Sequence, residues 1–222
     1  MTDRWATFDC YGTLIDWERG IADTFARLWP DTGPADLLRT YHVVEPRVQA
    51  GSDAPYRDVL TESLAHVAAE NDLPLAGDDT DALVRSLPTW PPFPEVPSSL
   101  SDLRERGWHI AVLSNTDPEL LDASIGNIGV PVDLRITVAE AGSYKPAPRH
   151  WERFFADSGA DRARHVHVGA SIFHDIEPAL SLGVPSVWIN RTNERSDVAR
   201  SAELISLAGL PGVLDGLVPV VA

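Results

Sequence analysis

The pattern of apolar and polar positions divides the chain into two kinds of sequence. Near the start, an apolar run begins at Trp5 and ends at Asp9, which predicts a short strand. Four segments then carry apolar side chains every three or four residues, the period of helices buried on one side. These predicted helices span residues 17–29, 34–50, 57–71 and 78–87.

A proline-rich stretch separates this helical region from the rest of the chain. Five prolines between Leu87 and Pro97 exclude a continuous helix and predict a stiff connection. Beyond it, strand-like apolar runs alternate with helical periods, which indicates parallel strands joined by crossover helices. The predicted strands span residues 109–113, 133–137, 165–168 and 185–189, and the predicted helices span residues 98–106, 118–126, 148–158 and 174–182.

These elements predict an α/β fold, a doubly wound Rossmann-like parallel sheet with an inserted helical cap domain. Residues 1–14 and 95–222 are expected to form the α/β core domain, and residues 15–94 the helical cap domain. A length of 222 residues suits one core domain with a smaller insertion. The apolar stretch Leu204–Val221 is expected to pack on the core.

Composition restricts the partners of this chain. Thirty-three acidic residues against 18 basic ones give a net charge of −15, which argues against nucleic acid or an anionic membrane as a partner. The single cysteine, Cys10, excludes an internal disulfide framework and a cysteine-rich metal site. No secretory leader is visible, and the apolar runs are too short to span a bilayer. These features predict a cytoplasmic protein.

Polar and charged side chains follow the ends of four predicted strands. Open α/β sheets bind ligands at this edge, because the carboxyl ends of parallel strands meet there. The residues brought to this edge are Asp9, Ser114, Asn115, Lys145, Ser171 and Asp175. Lys145 is the only lysine of the chain, against 17 arginines, which indicates a position where a compact ammonium serves and a planar guanidinium does not.

This ordered set resembles the haloacid dehalogenase superfamily. The segment FDCYGTL at residues 8–14 is similar to the L-2-haloacid dehalogenase (type II) branch, which carries a tyrosine two residues after its aspartate nucleophile, here Tyr11. Phosphatase branches usually carry a second aspartate there. The segment KPAPR at residues 145–149 resembles the lysine motif of that branch, and Asp175 its late acid. The fourth motif departs from it, since Ser171 stands where the best-known dehalogenases have asparagine.

The resemblance implies a hydrolase acting on carbon–halide bonds, an (S)-2-haloacid dehalogenase that converts small 2-haloalkanoic acids to 2-hydroxy acids without a cofactor. Asp9 is the expected nucleophile, which displaces halide and forms an ester. Lys145 is expected to hold the pKa of Asp9 low and to orient its carboxylate. Asp175 is expected to orient or deprotonate the water that hydrolyses the ester.

The resemblance also implies which residues bind the substrate. Arg39 is the expected halide-binding donor, with Asn115 as its amide partner and Arg47 as its rival on the same predicted helix. The expected carboxylate-binding groups are Thr13, Ser114 and the backbone N–H groups of Cys10 and Tyr11. Trp151 and Ser171 complete the predicted pocket.

Two other functions stay open at this point. A magnesium-dependent phosphatase would use an acid where Tyr11 stands and often another where Ala170 stands, and Mg²⁺ would then be the cofactor. A non-catalytic binding protein would not need Asp9, Lys145 and Asp175 together. His165 and His167 share one face of a predicted strand, but no third metal ligand accompanies them. A homodimer is expected only by analogy with related enzymes.

Overall fold

The computed structural model describes residues 3–50 and 54–220. Its centre is a six-stranded sheet in the order β3-β2-β1-β4-β5-β6, with every neighbouring pair parallel. The strands are β1 (Arg4–Phe8), β2 (Trp108–Leu113), β3 (Leu134–Ile136), β4 (His165–Gly169), β5 (Ser186–Ile189) and β6 (Ala202–Leu204). The sequence prediction of a doubly wound parallel α/β sheet is confirmed.

Ten helices of the described chain surround or extend from the sheet. Four of them lie between β1 and the proline-rich connection: α1 (Trp17–Leu28), α2 (Pro34–Gln49), α3 (Tyr56–Glu70) and α4 (Ala82–Ser86). The others are α5 (Val96–Glu105), α6 (Pro118–Ile128), α7 (Val138–Ala141), α8 (Arg149–Ser158), α9 (Glu177–Ser181) and α10 (Leu210–Leu217). Short 3-10 turns occur at Gly77–Asp79, Leu87–Thr89, Arg162–Arg164 and Leu207–Gly209, and a π-helical turn at Ile172–Ile176.

The chain reverses its direction of winding at β1. This strand lies between β2 and β4, and Thr7 is paired with Ala111 on one side and His167 on the other. The carboxyl ends of β1 and β4 therefore form the switch point at which doubly wound sheets bind ligands. The division into a core domain and a cap domain stays a prediction, and residues 1, 2, 51–53, 221 and 222 of its ranges lie outside the described residues.

Two predicted segments differ from the structure. The helix predicted over 78–87 is a 3-10 turn followed by the five-residue α4, because the polar run 77–81 does not continue a helix and Pro88 ends it. The helix predicted over 174–182 begins as a π-helical turn. The C-terminal stretch, by contrast, packs on the core as predicted: it contains the end of β6 and α10, and Leu207, Leu210 and Leu214 are buried in the main core.

The two faces of the sheet bury different side chains. One face contributes Ala6, Phe8, Val166 and Val168 to the larger hydrophobic core. The opposite face carries Thr7, His165 and His167, all fully buried. Helix α8 covers this second face with Trp151 and Phe154. These three polar side chains therefore lie directly behind the switch point at the ends of β1 and β4.

Candidate active site

The turn after β1 holds the predicted nucleophile. Asp9 is the first residue after the strand, and its backbone N–H donates to Val168 of β4 at 2.9 Å. Gly12 has a φ of +90°, a conformation that L side chains avoid, so the chain can turn back at once. The turn brings the Thr13 hydroxyl to the Asp9 carboxylate, where it donates to Oδ2 at 2.8 Å. Thr13 Oγ1 in turn accepts from the Ala170 backbone N–H at 2.9 Å.

Arg191, which follows β5, fixes this turn from outside. Its guanidinium donates to the carbonyl oxygens of Gly12 at 3.2 Å and Thr13 at 2.8 Å. It also pairs with Glu95 at 2.8 Å and lies 3.5 Å over the ring of Phe93, in the chain that returns from the inserted helices. One half-buried guanidinium therefore holds both the nucleophile turn and the returning connection.

Lys145 occupies the centre of the site. Its buried Nζ donates to Asp9 Oδ1 at 2.9 Å, Asp175 Oδ1 at 2.7 Å and the Leu113 carbonyl at 3.0 Å. An ammonium has three N–H donors, so all of them are used. The planar fork of an arginine could not point at these three acceptors. This geometry gives the physical reason for a solitary lysine at position 145.

Asp175 reaches the site from a π-helical turn after β4. Such turns insert an extra residue per turn and are frequent at functional sites. The Asp175 carboxylate packs directly on Gly169, where an added Cβ would lie only 2.5 Å from it, so glycine is required there. The Ser171 N–H donates to Asp175 Oδ2 at 3.2 Å, and His167 Nε2 lies 3.3 Å from Oδ1.

The two carboxylates share one ammonium and titrate in opposite directions. Burial disfavours the charge of Asp175, but Lys145 and His167 outweigh that effect and lower its pKa. Burial raises the pKa of Asp9, and the neighbouring Asp175 adds to this effect. Burial also opposes the charge of Lys145, yet the two carboxylates raise its pKa above the usual value. Lys145 and Thr13 lower the pKa of Asp9, in the direction expected from the sequence, but burial outweighs them and leaves that pKa above its usual value.

Asn115 and Ser114 follow β2 and lie against the lysine loop. The Asn115 amide accepts from the Lys145 N–H at 2.6 Å and donates to the Lys145 carbonyl at 3.0 Å. Asn115 thus holds the backbone of the lysine, a contact that the expected halide role did not include. The Ser114 carbonyl accepts from His150 at 3.2 Å, whereas its hydroxyl has no partner in the part of the chain that the structure describes.

Cys10 and Tyr11 connect Asp9 to the inserted helices. Within residues 3–50 and 54–220, the backbone N–H groups of both residues have no acceptor, so they are free to bind an anion. The Cys10 thiol is fully buried, and burial raises its pKa well above the usual range, so it is not a nucleophile. The Tyr11 ring stacks on Tyr56 of α3 at 6.4 Å, and its hydroxyl lies 3.1 Å from Ser124 Oγ.

The two arginines considered for the halide lie on the exposed side of α2. The Arg39 side chain is 73% exposed and pairs with Asp36, one turn earlier. The Arg47 side chain is 59% exposed and pairs with Glu70 of α3 at 2.6 Å. The structure does not bring either guanidinium to Asp9, and the halide role of Arg39 or Arg47 stays a prediction.

Trp151 and Ser171 lie at the back and at the side of the site. Trp151 is fully buried on α8, with its ring centroid 5.0 Å from that of His167, so it contacts the site through that histidine. The Ser171 hydroxyl caps the π-helical turn by accepting from the His174 N–H at 3.1 Å. His174 is partly buried, and burial lowers its pKa. The pocket roles predicted for Trp151 and Ser171 stay untested.

Sequence reasoning considered His167 only as a metal ligand and gave no role to Glu45 of α2. His167 contacts Asp175 directly, and its position one strand away from Asp9 was the only available signal. Glu45 lies one helical turn after the buried Tyr41 on α2 and forms no hydrogen bond or ion pair within the described residues. Burial raises the pKa of Glu45 to about 7. Glu45 is therefore a half-buried carboxyl group of α2 that lies close to Tyr41 and Tyr56.

The donors at this site do not match a divalent cation. Two carboxylates, Asp9 and Asp175, are present, but Tyr11 and Ala170 occupy positions where phosphatase motifs carry acids. No group of three or more His, Cys, Asp or Glu side chains in the described chain is arranged to hold a metal ion. Mg²⁺ is bound through carboxylates and waters in near-octahedral geometry, which this set does not supply.

Among the described residues no helix has the length and apolarity needed to cross a membrane.

Comparisons with known proteins agree with this geometry. The chain is 33% identical over 202 residues to the (S)-2-haloacid dehalogenase of Pseudomonas sp. (strain YL), covering 83% of this chain and 82% of that protein. It is 29% identical to haloacetate dehalogenase H-2 of Moraxella sp. (strain B), covering 83% and 84%. The crystal structure of an L-2-haloacid dehalogenase superposes with a TM-score of 0.85 at 26% identity, covering 97% of this chain and all of that one.

A family model covers most of the chain as well. Residues 4–183 match the model described as haloacid dehalogenase-like hydrolase. The matched range contains the turn after β1, the lysine loop and the π-helical turn. On this match and on its relatives over four-fifths of its length, the chain belongs to the haloacid dehalogenase-like hydrolases.

Proposed function

We propose that this protein is a hydrolytic dehalogenase of small 2-haloalkanoic acids that works through an ester on Asp9. The observation that carries the proposal is the placement of Lys145 between Asp9 and Asp175, with no additional acid beside the nucleophile. The Asp9 side chain is 13% exposed, whereas Lys145 and Asp175 are buried. Asp9 is thus the one group of the three that a substrate can reach.

The first step is displacement at the carbon that bears the halogen. An Asp9 carboxylate oxygen forms a bond to that carbon, the carbon–halogen bond breaks, and halide leaves with the bonding electron pair. Lys145 and Thr13 hold the two carboxylate oxygens and fix the direction of attack. The free N–H groups of Cys10 and Tyr11 and the Ser114 hydroxyl are the donors proposed for the substrate carboxylate.

The second step is hydrolysis of the ester. Water adds to the carboxyl carbon of Asp9, the bond from that carbon to the ester oxygen breaks, and the 2-hydroxy acid leaves. The net products are hydroxy acid, halide and one proton. Asp175 accepts hydrogen bonds from Lys145, His167 and the Ser171 N–H, so it is an ionised group suited to orient water rather than to carry a proton for long.

The inserted segment presents aromatic side chains to the turn that carries the nucleophile. Tyr11, Tyr56 and Trp90 form an aromatic contact between the sheet and the insertion. We propose that residues 15–94 act as the cap that closes over Asp9. Apolar and aromatic walls exclude water from a displacement reaction, which favours a small organic acid as the substrate.

The test is the release of halide and phosphate by the purified protein. L-2-chloropropionate, chloroacetate, fluoroacetate and an aryl phosphate are offered separately, with and without EDTA. Halide release that EDTA leaves unchanged, and that Asp9→Asn abolishes, is the expected result. Phosphate release that requires Mg²⁺ would overturn the proposal in favour of a phosphatase, and no turnover of any compound would favour a binding role.

The setting of the protein belongs to the same proposal. The lone buried thiol of Cys10 is supporting evidence for a reducing, cytoplasmic location. A homodimer stays a prediction, and light scattering coupled to size-exclusion chromatography measures it. The partner proposed for the site is a small haloacid, with no nucleic acid or membrane, because the net charge is −15.

A further inference from the structure

A chain of hydrogen bonds leads away from Asp175 behind the sheet. Thr7 Oγ1 lies 2.7 Å from His165 Nε2 and 2.8 Å from His167 Nδ1. His167 Nε2 lies 3.3 Å from Asp175 Oδ1. All four side chains are fully buried, so solvent does not compete for these contacts. Their proximity follows from strand register, since Thr7 of β1 pairs with His167 of β4.

The charge of Asp175 gives this chain a single direction. An ionised carboxylate only accepts hydrogen bonds, so His167 Nε2 must carry the hydrogen. His167 Nδ1 then accepts from the Thr7 hydroxyl, and Thr7 Oγ1 accepts from His165 Nε2. The remaining nitrogen, His165 Nδ1, carries no hydrogen in this arrangement, and it has no partner among the described residues. The whole chain therefore points its donors toward Asp175.

The proposed reaction places a special demand on Asp175 in its second step. Once Asp9 is esterified it loses its negative charge, and Lys145 has Asp175 as its remaining anionic partner. Asp175 must then stay ionised and keep its orientation while water attacks the ester. His167 contacts only Asp175 of the two acids, so its hydrogen bond is independent of the state of Asp9.

We propose that His167 is a positioning residue for ester hydrolysis, with its Nε2–H fixed by Thr7 and directed at Asp175. This inference rests on the proposed dehalogenase function and adds a residue to it. The Trp151 ring packs against the His167 ring in an edge-to-face arrangement, with 5.0 Å between the two ring centroids. The charged or titratable groups that face Asp175 from the surrounding elements are Lys145, Asp9, His150, His167 and His174.

Two substitutions at one position separate positioning from packing. His167→Leu removes the donor, whereas His167→Gln keeps an N–H near the place of Nε2. For His167→Leu we expect a first-turnover halide burst close to that of the wild type and a steady-state rate reduced about tenfold, the loss of one hydrogen bond to a charged group. Acid-quenched His167→Leu should carry the Asp9 ester as its main form by mass spectrometry, and His167→Gln should restore most of the rate.

One control variant changes a residue of the hydrogen-bond chain, and a second changes a histidine outside it. Thr7→Val frees the tautomer of His167 but leaves its ring in place, so a smaller loss of about threefold is expected. His109→Gln changes a half-buried histidine of β2 that stacks on Trp5, away from Asp175, and it should leave both phases unchanged. Equal loss of burst and steady-state rate in His167→Leu, or a wild-type rate in that variant, would overturn the inference.

A measurement without turnover decides the case if His167→Leu does not fold. In ¹⁵N-histidine-labelled wild-type protein at pH 7, His165 and His167 should both be neutral and protonated on Nε2. Loss of one set of signals in His167→Gln assigns them. Protonation of His167 on Nδ1 would refute the positioning role, whereas the expected tautomer in a protein that releases no halide would refute only the proposed function.

Discussion

At the strand ends, Lys145 gives all three of its N–H groups to acceptors that are almost out of contact with solvent. On α2, Arg39 and Arg47 each meet one carboxylate on the outer surface. A buried ion without its partners is costly, so the first arrangement tolerates few changes. Exposed pairs contribute little and are exchanged easily. The sequence predicted catalytic charges in both regions. Only at the strand ends do the surrounding groups satisfy every hydrogen-bond donor of the cation.

The largest expected effect comes from replacing the central cation. Lys145→Arg keeps the positive charge but cannot satisfy three acceptors in one pocket, so halide release should fall by at least about 100-fold. The matching exchange at the surface, Arg39→Lys, should leave the rate unchanged. Circular dichroism checks that both variants are folded. Full activity of Lys145→Arg would show that a guanidinium can serve at position 145 as well as an ammonium does.

Buried histidines should make the free energy of unfolding decrease as the pH falls. Burial lowers the pKa of His150 to about 4 in the folded protein, whereas the unfolded chain binds that proton near pH 6.5. The unfolded state thus holds more protons in this window, and stability falls as the pH drops through it, by about 3 kcal/mol for His150. Urea unfolding measured between pH 7 and pH 4 tests this expectation.

His150→Phe provides the control for the acid experiment. Its unfolding midpoint should depend less on pH over the same window, since one buried neutral histidine is gone. An exposed histidine such as His66 should make no such difference when replaced by glutamine. A pH dependence that is identical in wild type and His150→Phe would show that another group is responsible.

A smaller effect is expected from Glu45, the half-buried carboxyl group of α2. Burial raises the pKa of Glu45 to about 7, so it becomes negative in the physiological range and repels an anionic substrate. KM for 2-chloropropionate should therefore rise above pH 7 in the wild type, and Glu45→Gln should remove that rise and lower KM about threefold. An unchanged KM profile would place Glu45 away from the path of the substrate.

The smallest effect is predicted for the exposed arginines. Arg39→Ala and Arg47→Ala should each change kcat/KM by less than about twofold and stability by less than about 1 kcal/mol. Steady-state kinetics and urea unfolding measure both quantities. A loss of tenfold or more in Arg39→Ala would mean that α2 rearranges to bring this guanidinium to the halide, and the comparison of the two regions would then need revision.

The parts of the molecule that sequence predicted are those encoded locally. Five of the six strands were predicted from short runs rich in apolar residues, and Asp9 and Asn115 follow such runs, so the parallel sheet and its polar edge could be inferred. The short edge strand β6, Ala202–Leu204, was not predicted because its sequence carries no such run. The contact between His167 and Asp175 could not, because it depends on a π-helical turn and on the register of two strands distant in sequence. The pairing of Arg39 with Asp36 depends on which face of α2 is exposed.

The clamp made by Arg191 has a mechanical consequence. It ties the outgoing chain at Gly12 and Thr13 to the returning chain at Phe93, and Phe93 N–H also donates to the Leu14 carbonyl at 3.0 Å. Any hinge between the helical insertion and the sheet must therefore lie within the insertion, after Leu14 and before Phe93. A movement of the inserted helices relative to the sheet would therefore leave the position of Asp9 unchanged.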